Sequence, residues 1–468
     1  MEANSARVKH LLYRAGFGPK ADEWPKVRGM APEKLARKMM EVSEKWKPLS
    51  AVEKAPIKLD EMRDMSEDER ATYVLSRRLG QARLNFAWIN EMAWSPYQVR
   101  EKLTFFWHDH FACRSFFPQP NEQLNNTLRE NALGPFKNLL LAVARDPAML
   151  RFLNNQQNRK DAPNENFARE LLELFTLGRG QYTETDVKEA ARAFTGWTAD
   201  LNGEFVFRPR QHDGGSKTFR GKTGNFGGED IVDLILSDPQ CARFLTEKLY
   251  RFYVHPEPDP DAVNALSKYY FENQYHTGKL LHRMFTSTAF YAPAHMGARI
   301  KSPVEFLVGL MRQFNLSFDG PEGPILVQRA LGQVLFQPPN VSGWPDGLAW
   351  IDGSSLLARM RLPEILVRQG EWEVRAKEAF AGNEDSFSGE RDVPGQKLLC
   401  QIDWDPLEAW AKADSRKESL LRLYDFFIQK NQPVLTPEVV MQALEKKGSA
   451  TLPDIAVALA GSPEYQFC

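Results

Sequence analysis

Carboxylate, amide and guanidinium side chains recur at helical spacing in residues 163–178, PNENFARELLELFTLG. Glu165 lies four residues before Arg169, and Asn166 lies four residues before Glu170, so an α-helix would place these pairs on adjoining faces. Such a group could hold a hard cation or a polar substrate, with Glu165 or Glu170 acting as a general base. The alternative is an exposed helix face with i,i+4 ion pairs, which contribute only about 0.2–0.5 kcal/mol each.

Two histidines lie two residues apart in residues 104–114, TFFWHDHFACR, where the surrounding pattern is helical. Two helical steps rotate by about 200°, so His108 and His110 cannot face one ligand together. We favour His110 as a catalytic acid, base or ligand, because its face also carries an arginine and Trp107, a candidate for substrate binding. Asp109 is interpreted only as a member of an ion pair. The alternative for His110 is a partly buried histidine whose hydrogen bonds are satisfied.

A third polar group lies in residues 211–221, QHDGGSKTFRG. His212 and Asp213 are followed by two glycines, which let a ligand approach the backbone, and then by Lys217. Imidazole, carboxylate and ammonium groups can bind a metal or an anion, or transfer protons. We therefore predict His212 as a catalytic residue, and His212, Asp213 and Glu165 as candidate ligands of a divalent metal. The alternative is a polar turn without a ligand.

Helices must position most of these groups, because apolar residues recur three and four apart through most of the chain. The sequence predicts a mostly α protein with one large multi-helix body. Asn164 suits the N-cap, and Gly178 the C-cap end, of a helix over 164–177. Residues 197–224 differ, since an Asn-Gly pair precedes alternating apolar residues there, which predicts a small antiparallel β excursion.

A polar segment over 381–401, rich in Gly, Ser and charge, is the best candidate for a linker. It would separate a main helical domain over 1–380 from a C-terminal helical tail over 402–468. The tail could be a separate unit or a flap packed on the main body.

The charge balance argues against several classes of function. The chain has 60 Lys and Arg against 61 Asp and Glu, a net charge of −1, which is unlike a general nucleic-acid binder or a polybasic membrane-surface protein. No apolar run is long enough for a transmembrane helix, so no membrane insertion is expected. The N-terminus lacks a signal-peptide pattern. As written, the chain is expected in the cytoplasm, or in the periplasm or exported if the true start lies upstream.

The familiar catalytic signatures are absent from the 468 residues, including H-E-x-x-H, G-x-S-x-G and G-x-G-x-x-G. The four cysteines are scattered without a C-x-x-C pair, which excludes a standard cysteine-based zinc site and a c-type haem attachment site. The functional prediction therefore depends on the polar groups alone.

Several pieces of the sequence, in this order, resemble a large bacterial family catalogued as domain of unknown function 1800. They include HLLYRAGFG at 10–18, FWHDHF at 106–111, the segment 163–178 and PPNVSGW at 338–344. The resemblance covers about residues 5–365 and brings no established activity. Members look often exported and often encoded beside proteins resembling sulfatases and alkaline phosphatases, which implies work on polysaccharides or on sulfate and phosphate esters.

On the enzyme hypothesis, helix 164–177, His110 and the 211–221 loop converge on one cleft. This cleft would hydrolyse or transfer a group at a sugar, sulfate or phosphate ester of a small molecule or glycan, with a divalent metal as one option. The candidates for substrate binding are Arg169, Asn164, Asn166, Lys217, Arg14 and Trp107. The alternative is a non-catalytic scaffold or glycan-binding partner of a sulfatase- or phosphatase-like enzyme, and a haem or redox protein is a remote alternative.

Overall fold

Helices make up most of the chain, which confirms the mostly α fold class. The computed structural model describes residues 2–53, 65–200, 203–372, 396–429, 434–446 and 451–468. Within these ranges, no helix is both long and apolar enough to cross a membrane.

The helices vary from single turns to the 28-residue helix that follows Ser66. Their bounds are α1 (Glu2–Arg14), α2 (Trp24–Val27), α3 (Pro32–Val42), α4 (Glu67–Trp94), α5 (Gln98–His110), α6 (Pro118–Asn131), α7 (Phe136–Ala144), α8 (Pro147–Phe152), α9 (Asn166–Glu170), α10 (Glu184–Ala193), α11 (Gly228–Leu236), α12 (Pro239–Tyr253), α13 (Pro260–Glu272), α14 (Thr277–Phe285), α15 (Pro303–Phe314), α16 (Glu322–Leu331), α17 (Gly353–Arg368), α18 (Asp405–Ala411), α19 (Arg416–Phe427), α20 (Pro437–Lys446) and α21 (Leu452–Ala460).

The helix ends follow local capping rules. The Asp238 side chain accepts a hydrogen bond from the second residue of α12, and Pro239 occupies the first position, where no N–H is needed. Asn164, predicted as the N-cap, lies one residue too early, because Glu165 directly precedes α9; Asn164 Oδ1 nevertheless accepts from the Asn166 N–H at 3.0 Å. Gly178 has a φ of 92° after the same segment, which confirms it as the left-handed residue that ends it.

The predicted helix over 164–177 is not a uniform α-helix. Only α9 has α-helical geometry, and Leu171–Thr176 continues as a π-helix with wider turns. The Thr176 hydroxyl donates to the Leu171 carbonyl five residues earlier, at 2.6 Å, which supports the wider turn. Short π segments occur often at functional sites, because they redirect backbone groups.

The strands are short, and they pair antiparallel in four two-stranded sheets within the described ranges. The predicted β excursion over 197–224 is confirmed as two hairpins, β1–β2 and β3–β4. The strands are β1 (Trp197–Ala199), β2 (Phe205–Phe207), β3 (Lys217–Phe219), β4 (Lys222–Gly224), β5 (Leu316–Phe318), β6 (Glu371–Trp372), β7 (Gln396–Lys397) and β8 (Cys400–Ile402).

One contiguous apolar core joins the ends of the chain. It includes residues from α1 to Tyr465, and the C-terminal helices α18–α21 contribute to it together with the main body. Strand β8 pairs with β5, and Phe467 bridges to Ile300. The predicted linker over 381–401 lies mostly outside the described residues. The division into two units therefore stays a prediction, although the C-terminal part contacts the main body closely.

Candidate active site

The side chains predicted on the 163–178 segment form ion pairs near the surface. Arg169 donates to both oxygens of Glu184 at 2.7 Å and to Glu165 at 3.4 Å. Burial raises the pKa of Glu170, and the neighbouring charge of Glu173 raises it further. This arrangement is close to the surface ion-pair alternative, because Arg169 already has carboxylate partners and is partly exposed.

The two asparagines of this segment hold the chain in place. The Asn166 side chain donates to the Leu153 carbonyl at 3.2 Å, and the Asn164 N–H donates to Asn158 Oδ1 at 2.9 Å. Both contacts join the start of α9 to the preceding loop, so neither requires a substrate.

The 211–221 loop is stabilised by its own polar side chains. Asp213 accepts from Arg192 at 2.7 Å, and this hydrogen bond is the largest influence that lowers the pKa of Asp213. The buried Lys217 ammonium donates to the Asp213 carbonyl at 2.6 Å. His212 Nδ1 lies 2.9 Å from the Thr195 carbonyl. These contacts close a loop against α10 and leave the ammonium directed at backbone oxygens.

The structure does not bring the predicted metal ligands together. Across the described ranges, no three His, Cys, Asp or Glu side chains are arranged to hold a metal ion. Asp213 is paired with Arg192, and Glu165 with Arg169. A divalent metal at Glu165, His212 and Asp213 therefore stays a prediction of the sequence without a matching group of ligands.

His110, in contrast, contacts the 163–178 segment directly. It is the last residue of α5, it is buried, and its Nε2 lies 3.1 Å from the carbonyl oxygen of Phe175 in the π-helix. A carbonyl only accepts, so Nε2 carries the hydrogen. Burial lowers the pKa of His110 well below its usual value, and the ring is neutral. Nδ1 is therefore an acceptor, and Lys248 Nζ donates to it at 3.0 Å.

Lys248 lies on α12 and is partly exposed, although the ring of His110 beside it is buried. Burial lowers the pKa of the Lys248 ammonium, and the negative charge of Asp109 opposes this shift. Asp109 and Lys248 are close enough to influence each other, but no direct ion pair joins them within the part of the chain that the structure describes.

Asp109 is held by the PPNVSGW loop at 338–344. Its Oδ1 accepts from the Trp344 N–H at 2.8 Å. Burial raises the pKa of Asp109 to about 6, and the Trp344 hydrogen bond and the Lys248 charge counteract the shift in part. A carboxyl with a pKa near neutrality exchanges a proton readily, which is what a general acid or base requires.

Gly343 permits this contact. It adopts a φ of 85°, and a Cβ atom there would lie 2.2 Å from Asp109 Oδ1 and 2.8 Å from the Asp109 carbonyl oxygen. Only glycine fits both the left-handed backbone and the available space. The backbone of the loop at Gly343 therefore packs directly against Asp109.

The remaining two predicted substrate-binding residues are buried. Trp107 has 0% of its surface exposed and donates from Nε1 to the Ala132 carbonyl at 3.2 Å, so it supports α5 from the core and has no exposed face for a substrate. Arg14 is also fully buried and donates from Nη2 to the His295 carbonyl at 3.0 Å. Its Nε and Nη1 have no hydrogen-bond partner among the described residues.

Asp346 connects this arginine to Asp109 electrostatically. Its negative charge contributes to the raised pKa of Asp109, and it opposes the lowering of the Arg14 pKa by burial. Arg299 is held nearby through Glu305, with two hydrogen bonds at 2.7 and 3.0 Å. The charge of Asp346 thus acts on Asp109, Arg14 and Arg299 alike.

Comparison with known proteins identifies the family and nothing beyond it. The sequence model of a family described as a protein of unknown function (DUF1800) matches residues 10–467. The chain belongs to this family. The match extends through the C-terminal helices, past the 5–365 range in which the motifs are recognisable. No curated protein and no solved structure matches the chain, so family membership confirms the predicted relationship and assigns no activity.

Two residues of this site do not stand out as chemical groups in the sequence. Asp109 is interpreted there only as an ion-pair member, and Lys248 lies outside the three polar segments. A signal for Lys248 exists, because it follows the buried residues Cys241 and Leu245 of α12 at spacings of seven and three. A lysine at the edge of such a stripe indicates either an ion pair or a functional ammonium.

Proposed function

We propose that the protein is an enzyme that uses the Asp109–Lys248 pair for acid–base chemistry. The reaction class is hydrolysis or group transfer at a sugar, sulfate or phosphate ester of a small molecule or glycan. The observation that carries the proposal is the position of a carboxyl with a pKa of about 6 beside an ammonium with a lowered pKa, without a direct ion pair between them. Raised carboxyl and lowered ammonium pKa values are typical of catalytic groups.

Asp109 is the proposed general base. Above its pKa of about 6 the carboxylate can take a proton from an attacking water or hydroxyl group. The Trp344 N–H fixes Oδ1, and no described residue hydrogen-bonds to Oδ2, which is therefore the oxygen offered to the reaction.

Lys248 is the proposed electrostatic group. Its ammonium, directed by the acceptor Nδ1 of His110, would stabilise negative charge on a sulfate or phosphate oxygen or protonate a leaving group. His110 is thus a positioning residue in this proposal, which assigns it a different role from the catalytic one predicted from the sequence. The implied link of the family to sulfate and phosphate esters fits an ammonium at this position.

The test is a panel of 4-nitrophenyl sulfate, phosphate and glycoside substrates, assayed with purified protein and with a divalent-metal series. Variants Asp109→Asn and Lys248→Met are compared with Glu165→Gln, Glu170→Gln and His212→Ala, which remove the groups predicted from the sequence. Loss of a general base is expected to lower kcat/KM by about 10²–10⁴-fold. The first two variants should show this loss, and the last three should retain turnover.

Loss of turnover in Glu165→Gln, Glu170→Gln or His212→Ala, with full turnover in Asp109→Asn, would move the site to the 163–178 and 211–221 segments. In that case, addition of a divalent cation should raise the activity of the wild-type protein through Glu165, His212 and Asp213. Absence of turnover on all substrates, together with recovery of a stable sulfatase- or phosphatase-like partner or of bound glycan, would instead support the non-catalytic alternative.

A further inference from the structure

Arg77, outside the proposed active site, has an environment that a buried cation rarely tolerates. It lies on α4, only 6% of its surface is exposed, and Nε, Nη1 and Nη2 all lack hydrogen-bond partners among the described residues. A buried charge without a partner costs several kcal/mol, because the lost hydration is not replaced. The fold therefore contains a guanidinium whose nitrogens are buried and have no hydrogen-bond partner among the described residues.

Two aromatic rings hold this guanidinium. Its central carbon lies 3.6 Å from the ring centre of Phe116 and 3.5 Å from that of Phe117. Ring faces attract a cation, but they do not replace the strong hydrogen bonds that guanidinium N–H groups form with oxygen. The rings thus fix the position of Arg77 and leave its donors unsatisfied.

A cavity of about 130 Å³ adjoins Arg77 between α4 and the start of α6. One water molecule needs about 10–15 Å³ of such space, so the cavity has room for a small polar group. The polar side chains that line it besides Arg77 are Glu53, Tyr73, Ser76, Arg83 and Gln119. Two arginines face one carboxylate here, so the lining carries a net positive charge.

We propose that this cavity binds a small oxyanion, a phosphate, sulfate or carboxylate group, through the guanidinium fork of Arg77. The fork presents paired N–H donors that match two oxygens of such a group. The Ser76 and Tyr73 hydroxyls and the Arg83 guanidinium complete the lining with further donors. Phe116, which packs on the Arg77 guanidinium, is 46% exposed, and in this proposal its ring turns outward to admit the ligand. The site is independent of the proposed catalytic function.

The test measures thermal stability of the full chain against increasing sodium phosphate, sulfate and acetate, at constant ionic strength set with chloride. Wild-type protein should show a saturable rise in Tm with at least one oxyanion, since a ligand that binds only the folded state stabilises it. Arg77→Met should lose the saturable rise. Arg78→Met, which removes the same charge from the next residue on α4 but not from the cavity, should keep it.

Phosphate and sulfate also stabilise proteins by exclusion from their surface, and that effect rises without saturation. An equal, non-saturating rise in wild type, Arg77→Met and Arg78→Met would overturn the proposal. Comparison of the phosphate, sulfate and acetate titrations shows whether the site prefers a tetrahedral group or a carboxylate.

A second variant keeps the test decisive if Arg77→Met fails to fold. Ser76 is exposed and lines the cavity, so Ser76→Glu would place a carboxylate beside Arg77. We expect Ser76→Glu to raise Tm without added anion and to remove the oxyanion response, and Ser76→Gln to retain that response. An unchanged oxyanion response in Ser76→Glu would overturn the proposal.

Discussion

Lys248 Nζ lies 3.0 Å from His110 Nδ1, and the opposite nitrogen of the same ring lies 3.1 Å from the Phe175 carbonyl. These two contacts fix the imidazole in one tautomer, with hydrogen on Nε2 and an acceptor at Nδ1. The carbonyl comes from a π-helical segment, in which the backbone pairing is shifted by one residue from that of an α-helix. Three segments distant in sequence thus determine where one ammonium lies.

The pH dependence of kcat/KM should be bell-shaped for any substrate that the enzyme turns over. Asp109 must be ionised to act as a base, so activity should rise as the pH increases through about 6. Lys248 must be protonated, and its pKa is lowered by burial, so activity should decline at a pH below the ordinary lysine value of about 10.4. Steady-state kinetics from pH 4 to 10 measure both limbs. Residual activity of Asp109→Asn that still rises near pH 6 would contradict the assignment.

Replacement of His110 should act through Lys248. His110→Leu removes the acceptor of the ammonium, and loss of a hydrogen bond to the charged form lowers the pKa of that group further. The alkaline limb of kcat/KM should therefore move to lower pH, with a smaller effect on the acid limb. His110→Gln retains an amide oxygen that can accept, and should restore the limb in part. An alkaline limb at the same pH in wild type and His110→Leu would argue that His110 serves only in packing.

The contrast between His110 and Asp109 shows what the sequence could predict. Helical spacing predicted that His110 shares a face with Trp107, and the structure buries both side chains. The role of Asp109 depends on the Trp344 N–H, 235 residues away, and on Lys248, which lies on another helix. The spacing of residues along one helix does not reveal contacts with distant segments. The sequence therefore indicates no more than an ion-pair member at this position.

For the 163–178 segment, the sequence directs attention to the polar side chains. Its pattern correctly predicts a helical segment that ends at Gly178, but side-chain type alone could not show that Arg169 is partnered by Glu184, on a different helix. The π-helical turns were also not predictable, because they depend on local backbone pairing that α-periodicity does not distinguish. The backbone carbonyl of Phe175, rather than a side chain of the segment, makes the contact with His110.

Replacement of Asp109 by Asn should stabilise the fold above pH 6. Burial raises the pKa of Asp109 in the folded state from 3.8 to about 6. Ionisation of Asp109 therefore destabilises the folded state, and this destabilisation is complete above about pH 6 and absent below about pH 3.8. A shift of roughly two units corresponds to about 3 kcal/mol. Asn cannot ionise and can still accept from Trp344. Urea unfolding should therefore show Asp109→Asn to be more stable by up to about 3 kcal/mol at pH 8, with little difference at pH 4.

Asp146 supplies the matched control for that measurement. It is buried, it caps α8, and burial raises its pKa to about 7, but it has no contact with the proposed site. Asp146→Asn should give a similar pH-dependent gain in stability with unchanged turnover. A gain in Asp109→Asn accompanied by full activity would mean that Asp109, like Asp146, is a structural carboxylate.

Substitution at Gly343 should separate two explanations for this glycine, namely its left-handed backbone conformation and its close contact with Asp109. Gly343→Ala adds the penalty of a left-handed residue, about 1–2 kcal/mol, to a Cβ contact at 2.2 Å from Asp109 Oδ1. Overpacking of this kind costs about 1–3 kcal/mol more. The free energy of unfolding should fall by about 2–5 kcal/mol, and kcat/KM should fall as the carboxylate is displaced.

Gly347→Ala is the comparison, because Gly347 has a φ of 59° and nothing lies within 4 Å of the position that a Cβ atom would take there. It should lose only the left-handed penalty of about 1–2 kcal/mol and keep its activity. Urea unfolding and kcat/KM, measured on both variants, decide between the two effects. Equal losses of stability and activity would show that backbone conformation alone explains the glycine, and that the close approach to Asp109 has no role in holding the carboxylate.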